Sequence, residues 1–390
     1  MRIARVLTRL NLGGPARQVL ASDPILASRG HEVRVFAGAP EPGEGSLDGA
    51  LQRAGIEVVR VPGLRRGASA ALTGGDARAV RFLRTGLAAF DPDVVHTHAS
   101  KAGALGRRAA RAAAPRAARV HTFHGHVLEG YFPAPVSALL RWLEARQART
   151  TDRILAVSAA TRDDLVRLGV AGPDAVDVVP PGVALQDLLA LLEDRPDAPL
   201  RRDLGLGPDD VLVAVIGRMA PVKRVHVALK VFARLADEFP GVHLAFAGDG
   251  PDRRALESRI AALPSSVAAR VHLLGALPDV LPLHAALDVL LSTSFSEGMP
   301  VAMIEAAAAA RPVVSTAVGG VPELVRSGVT GLFGTDVDGL SAALGALLDD
   351  ADKRRELGAA ARERARSSHS AEALADRLEA VYVGMLRSRP

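Results

Sequence analysis

Residues 289–308 read VLLSTSFSEGMPVAMIEAAA, and the fold can be read outward from this stretch. Val289–Ser292 is a short apolar run bounded by Ser and Thr, the pattern of a buried strand. Pro300 is favoured at the first helical position, and Val301–Ala310 is a strong helix former. The segment is therefore a strand, a loop and a helix start, with Glu297 in the loop and Glu305 about one and a half turns inside the helix. At ~1.5 Å per residue, Pro300 to Glu305 spans about 8 Å. Helix-start N–H groups at residues 298–301 fall between the two acids, at the positive end of the helix dipole. Acid, anion site, acid suits a ligand with a hydroxylated ring at each end and a phosphate bridge between them. A nucleotide sugar has that shape.

The same unit recurs along the chain. Strand-like runs are expected at Ile3–Thr8, Glu32–Ala37, Glu57–Val61, Asp93–His98, Ala118–Phe123, Ile154–Val157 and Val176–Val179. A second series covers Val211–Ile216, Val242–Ala247, Val271–Leu274, Val289–Ser292, Pro312–Ser315 and Gly331–Phe333. Helical stretches rich in Ala, Leu and Arg lie between them, which indicates parallel sheets with helices on both faces. Pro180-Pro181-Gly182 and the Pro- and Asp-rich Glu193–Pro199 read as a linker. The expectation is an α/β protein of two doubly wound domains facing a cleft, residues 1–183 and 184–371, with a last helix at about 372–390. In such sheets ligands bind at the carboxyl ends of the strands.

Composition narrows the class. With 390 residues, 48% hydrophobic and 23% charged, the chain matches an ordinary globular protein with room for two cores. No cysteine is present, so disulfides, thiolate nucleophiles and Cys-ligated zinc are excluded. No apolar run reaches the ~18 residues of a membrane span, and the start lacks the apolar core of a signal peptide. This reads as a cytoplasmic protein. Residues 1–183 hold 25 Lys and Arg against 16 Asp and Glu, whereas the remainder holds 23 against 27. A basic first half is first of all the mark of solvated, arginine-rich helix faces; the sharper reading is that it meets anionic lipid head groups at the inner membrane face or an acidic acceptor. At 3% aromatic, without a stacking platform, nucleic acid is not an expected partner.

Further residues converge on a phosphate. In IGRMAPVKRVHVAL, Arg218 and Lys223 sit at the carboxyl end of a strand and the start of a helix. Only four lysines (Lys101, Lys223, Lys230, Lys353) occur in the chain, so one placed at this turn is informative. Two such cations would neutralise a diphosphate, above all a departing one. Gly13-Gly14 after the first strand lets backbone N–H groups approach a phosphate or sugar; taken alone it is a common turn. Gly248-Asp249-Gly250 is equally a plain turn or a base-binding loop. His96 and His98 lie on one strand face, and His121, His124 and His126 follow at the next strand end. The His96/His98 pair supports a rival class, a metal-dependent hydrolase, although no acid accompanies it at ligand spacing.

Together these pieces resemble the retaining glycosyltransferases of the GT-B fold, family GT4. The similarity runs over nearly the whole chain: the Gly13-Gly14 loop, DVVHTHASKAG, HTFHGH, DRILAVSAATRDDL, VVPPGV, IGRMAPVKR, AGDGP, FSEGMPVAMIEA, PVVSTAVGGVPELV and GVTGL. The resemblance implies that Glu305 binds the nucleotide's ribose and that Glu297 faces the donor sugar. It further implies that Arg218 and Lys223 hold the diphosphate with amides around Gly298, Met299 and Pro300, that His124 contacts the sugar, and that Gly13 and Gly14 lie near donor phosphate and sugar. It implies no metal and no cofactor beyond the nucleotide-sugar substrate, a UDP-sugar first and GDP-mannose second. The last helix is expected to return to the first domain. The implied reaction is retaining transfer to a hydroxyl acceptor, lipid-linked or anionic, in glycan, polysaccharide or glycolipid synthesis. A nucleotide-sugar epimerase or hydrolase of the same fold is the alternative. Glu129, Tyr131 and Phe132 are expected to shape an acceptor pocket. Arg311 stands where the family commonly has Gly before Pro-Val-Val, and Pro181 and Pro15-Ala16 also depart from its pattern.

Overall fold

The computed structural model describes residues 1–41, 44–65, 67, 73–186, 188 and 198–388. The chain divides into two units, Met1–Gly182 with Ala371–Pro390, and Val183–Ser370. The part of the expected linker at residues 193–197 lies outside the described residues.

The first unit is a seven-stranded sheet: β1 (Arg2–Leu7), β2 (Glu32–Ala37), β3 (Glu57–Arg60), β4 (Val94–His98), β5 (Ala118–Phe123), β6 (Arg153–Ala156) and β7 (Val176–Val178). The order is β3-β2-β1-β4-β5-β6-β7, parallel throughout. Numbering runs outward in both directions from β1 and β4, so the topological switch point lies between them. β4 is buried along its whole length, including His96, Thr97 and His98, because helices cover both faces.

The helix Ala371–Arg387 packs against Gly14–Ser28 within this unit and contributes Leu374, Leu378, Tyr382 and Met385 to its core. Its Tyr382 hydroxyl enters a buried polar cluster. Arg5 donates to Asp23 at 2.6 Å, to Ser22 at 3.2 Å and to Tyr382 at 2.7 Å. Burial alone would lower the Arg5 pKa and raise that of Asp23; their mutual attraction outweighs it for Arg5, which stays a cation.

The second unit is a six-stranded parallel sheet: β8 (Val211–Ile216), β9 (Val242–Ala247), β10 (Val271–Gly275), β11 (Val289–Ser292), β12 (Val313–Ser315) and β13 (Gly331–Phe333). Its order, β10-β9-β8-β11-β12-β13, repeats the same logic, with the switch point between β8 and β11. A core of Val213, Phe232, Leu244, Phe246, Leu291 and Leu340 fills one face. Every expected strand is present, with ends differing by one residue at most, because period and flanking turns carry that information locally.

The helix after β11 runs Val301–Ala308, with Pro300 as its N-cap rather than its first residue. It closes on a C-terminal hydrogen-bond pair: Ala310 N–H donates to the Ala307 carbonyl at 2.9 Å and Arg311 N–H to that of Ala306 at 2.8 Å. The left-handed residue is Ala310 (φ 54), so the turn position expected at Arg311 falls one residue earlier. Arg311 is instead a buried clamp, its guanidinium donating to the carbonyls of His284 at 3.1 Å and Ala285 at 2.8 Å. A cation there caps the end of the Leu281–Ala286 helix.

Candidate active site

At the second switch point the loops after β8 and β11 are stitched together. Thr293 Oγ1 donates to the Lys223 and Arg224 carbonyls at 3.0 Å each, Phe295 N–H donates to the Val222 carbonyl at 3.0 Å, and Arg224 Nε donates to the Thr293 carbonyl at 2.7 Å. Arg224 adopts a left-handed conformation (φ 45) that ends the short turn Pro221–Lys223 before the helix Val225–Leu235 begins. This stitching brings Lys223 Nζ onto Glu297 Oε1 as an ion pair. Ser294 Oγ donates to the same carboxylate oxygen at 2.6 Å. Two residues 74 apart in sequence thus meet because β8 and β11 are neighbours.

The loop carrying Glu297 is held from a third side. Gly319 (φ 52) lies so close that a Cβ there would sit 1.8 Å from the Glu297 carbonyl oxygen, and Gly320 N–H donates to that oxygen at 3.3 Å. Only glycine allows that approach. Gly248 (φ 143) plays the same part beside Gly217, whose carbonyl oxygen would be 1.9 Å from a Cβ. Arg218 is exposed beside this turn.

Gly298, Met299 and Pro300 are buried between Glu297 and the helix. Pro300 has no N–H, so the amides that can face an anion are those of Gly298, Met299, Val301 and Ala302 rather than 298–301. Glu305 is buried, and its Oε2 lies 3.3 Å from Nε2 of the fully buried His284. A buried carboxylate needs a polar partner, and an imidazole from the Leu281–Ala286 helix supplies one. His284 carried no motif in the sequence; only the packing of that helix beside Val301–Ala308 reveals it. Ser294, three residues before Glu297, is the spacing of a local side-chain turn and was legible in principle.

In the first unit, Gly13 caps the helix Gly14–Ser28 at the end of the loop that follows β1, and a Cβ on Gly13 would press on the Asn11 side chain at 3.1 Å. The histidine cluster lies on β4 and β5 and just beyond the end of β5. His96 Nε2 pairs with Thr122 Oγ1 at 2.7 Å, while His96 Nδ1 receives Tyr382 OH at 2.6 Å and faces the Arg5 guanidinium. Since arginine only donates, His96 is the neutral Nε2–H tautomer. Both of its nitrogens are engaged, so the His96/His98 pair is not arranged as a chelate. His96 and His98 stack, centroids 4.3 Å apart. His98 Nδ1 bonds His124 Nε2 at 2.9 Å.

Burial, and then the Arg5 charge, push the His124 pKa down to about 3. Burial also holds His96, His98 and His121 well below the usual imidazole value. At neutral pH all four are uncharged hydrogen-bonding groups. His126 pairs with Asp164 at 3.1 Å, and Glu129 with Arg167 at 2.7 Å. Tyr131 and Phe132 are exposed.

Two doubly wound parallel sheets, one with a cation–carboxylate pair and a helix start at its switch point, are the architecture of the GT-B fold. Comparison with known proteins agrees. The family described as Glycosyltransferase Family 4 matches residues 12–187, and that described as Glycosyl transferases group 1 matches residues 197–364. The chain belongs to this glycosyltransferase family.

It is 33% identical over 382 residues to D-inositol 3-phosphate glycosyltransferase of Mycobacterium avium, covering 92% of this chain and 85% of that protein. With the enzyme of the same name from Nocardia farcinica it is 33% identical over 281 residues, 68% of this chain and 61% of that one. Among solved structures, Anabaena Alr3699/HepE in complex with UDP-glucose superposes with a TM-score of 0.80 at 20% identity, covering 98% of this chain and all of that one. At that identity the likeness shows the fold.

Proposed function

We propose that the chain transfers a hexose from a nucleotide-diphosphate sugar to a hydroxyl acceptor with retention at the anomeric carbon. The observation that carries the reading is the Lys223–Glu297 pair at the β8/β11 switch point, with the buried Glu305 about one turn inside the helix that follows it. In this reading Lys223 and Arg218 hold the diphosphate with the amides of Gly298 and Met299. Glu305, positioned by His284, accepts from the ribose hydroxyls. Glu297 faces the sugar, and an incoming diphosphate competes with it for the Lys223 ammonium. Gly13, Gly14 and His124 are assigned to the donor phosphate and sugar on family resemblance.

The chemistry follows from the charges. The bond from the anomeric carbon to the diphosphate oxygen breaks, and its electrons pass to the diphosphate, whose charge Lys223 and Arg218 stabilise. The acceptor oxygen bonds to the same carbon from the same face, and its proton passes to the departing phosphate oxygen. No enzyme nucleophile is required, so neither acid needs to form a covalent intermediate. No metal or further cofactor enters this scheme.

A UDP-sugar is favoured as donor, in keeping with the UDP-glucose held by the Anabaena protein of the same fold. A phosphorylated polyol is the favoured acceptor, in keeping with the name of the curated relatives and with the basic first half. Among the described residues no helix is long and apolar enough to cross a membrane. The working location proposed is the cytoplasm, with access to the inner membrane face.

The test is a donor panel of UDP-, GDP-, ADP- and dTDP-sugars, first by thermal shift and then by product analysis with inositol phosphates and other hydroxyl acceptors. Glycoside formed with retention supports the reading. Free sugar or an epimer released without acceptor would replace it with the hydrolase or epimerase alternative, and near-normal turnover by Lys223→Ala would remove the mechanism.

A further inference from the structure

Eight large apolar side chains are exposed among the described residues, and six of them lie between Tyr131 and Leu143. That concentration sets one helix apart from the rest of the surface. The helix Ala134–Ala148 buries Ser137 and Glu144, and Leu140 packs against the core around Phe123 and Leu128. On the opposite side, Val136, Leu139, Trp142 and Leu143 recur at helical spacing, and Trp142 and Leu139 remain 58% and 55% exposed. Phe132, 48% exposed, extends the stripe into the preceding loop.

The charges on this helix are sorted as well. Its only acid, Glu144, is turned inward and held by the nearly buried Arg107 at 2.6 Å. Arg146 and Arg149 are exposed, and the Arg146 guanidinium lies 5.9 Å from the Trp142 ring centroid. On the neighbouring helix Ser100–Ala113, Arg108 and Arg111 are exposed, one and four residues beyond Arg107. The exposed side of this helix therefore presents apolar side chains and positive charge without a carboxylate, and the exposed Glu129 of the preceding loop is paired with Arg167. A second copy of this face would bring like charges together, which disfavours self-association. An interfacial helix on an anionic bilayer has just this division, with aromatic and aliphatic groups in the acyl boundary and arginines at the head groups. Among the basic residues of the first half, Arg107 is excluded from lipid because it is committed to Glu144, whereas Arg108 and Arg111 are available.

We propose that the helix Ala134–Ala148, with the Phe132 loop, docks the protein on anionic phospholipid, lying in the plane of the interface. At about 1.5 Å per residue it is far too short to span a bilayer. The surface lies wholly in the first unit and stands whatever the donor proves to be.

Trp142 is the chain's only tryptophan, so it reports on its own docking. The experiment adds vesicles of phosphatidylcholine, alone or with about one third phosphatidylglycerol, to the full chain and follows tryptophan emission, iodide quenching and co-sedimentation. Expected are a blue shift and protection from iodide with the anionic vesicles only, weakened by added salt. Partitioning falls roughly tenfold or more in Leu139→Glu/Leu143→Glu and in Arg146→Glu/Arg149→Glu, both of which keep the reporter. UDP-glucose binding by the same variants checks that they are folded and separates this surface from the donor reading.

Emission and quenching indifferent to anionic vesicles would overturn the proposal. So would tryptophan already protected without lipid in a chain that sediments as a dimer, since a second copy would then cover the face. The wild-type measurements decide the matter even if a variant fails to fold.

Discussion

Glu305 Oε2 lies 3.3 Å from the Nε2 of His284, an imidazole with no solvent exposure. The carboxylate assigned to the ribose is thus oriented from behind by a residue on a different helix. A hydrogen bond to a charged group contributes about 1.5–3 kcal/mol. Glu305→Ala is therefore expected to weaken UDP binding by roughly 10- to 150-fold, measured by calorimetry. His284→Asn, which loses the imidazole but keeps a donor, should cost less than Glu305→Ala; an equal or larger cost would mean that His284 acts on more than the carboxylate.

Lys223 is expected to act on the departing charge rather than on ground-state binding. Lys223→Met should lower kcat by about 10²–10³-fold, the loss typical for one group that stabilises developing charge, with a smaller change in KM. Glu297→Gln frees the ammonium from its ion pair yet keeps a hydrogen-bonding group toward the sugar. It should tighten binding of UDP alone while lowering sugar transfer. Loss of UDP affinity in Glu297→Gln would contradict the competition described above.

Stability should fall on mild acidification. His124 titrates near 3 in the folded chain against an ordinary value of 6.5, and His96, His98 and His121 shift in the same direction. A depressed folded pKa means the unfolded chain binds more protons between the two values. Stability from this cluster is complete above pH about 6.5 and is lost progressively as pH falls toward 3. Thermal melting followed from pH 7.5 downward should show a declining melting temperature from about pH 6.5, before the carboxylates titrate. The decline should be shallower in His124→Gln.

Ala310 holds a left-handed backbone (φ 54) at the end of the helix that carries Glu305. Glycine carries no Cβ penalty there, so Ala310→Gly should stabilise the second unit by about 0.5–1 kcal/mol, seen as a higher melting temperature. Destabilisation would mean that the alanine methyl packs against more than its backbone strain costs.

Strand positions and the acid–loop–acid stretch were legible because they rest on local rules: apolar period, turn residues and helix starts. The pairing of Lys223 with Glu297 was only half legible. Both residues stood out as a cation and an acid at strand ends, but their contact depends on β8 and β11 being adjacent. His284 could not be found at all, since a histidine on a short helix has no local signature of what it will face. Likewise Arg311 read as a misplaced turn residue; in the fold it caps a helix 25 positions earlier, and Ala310 takes the turn.

The sequence by itself determined the two series of strands and the residue types of an anion site, because those properties belong to segments of ten to twenty residues. Tertiary structure alone decided which side chains touch: the ammonium on Glu297, the imidazole behind Glu305, and the tyrosine of the last helix against His96. It also decided that the apolar side of Ala134–Ala148 would remain uncovered. Contacts between strands and helices far apart in sequence follow from sheet order and burial, which no local period encodes.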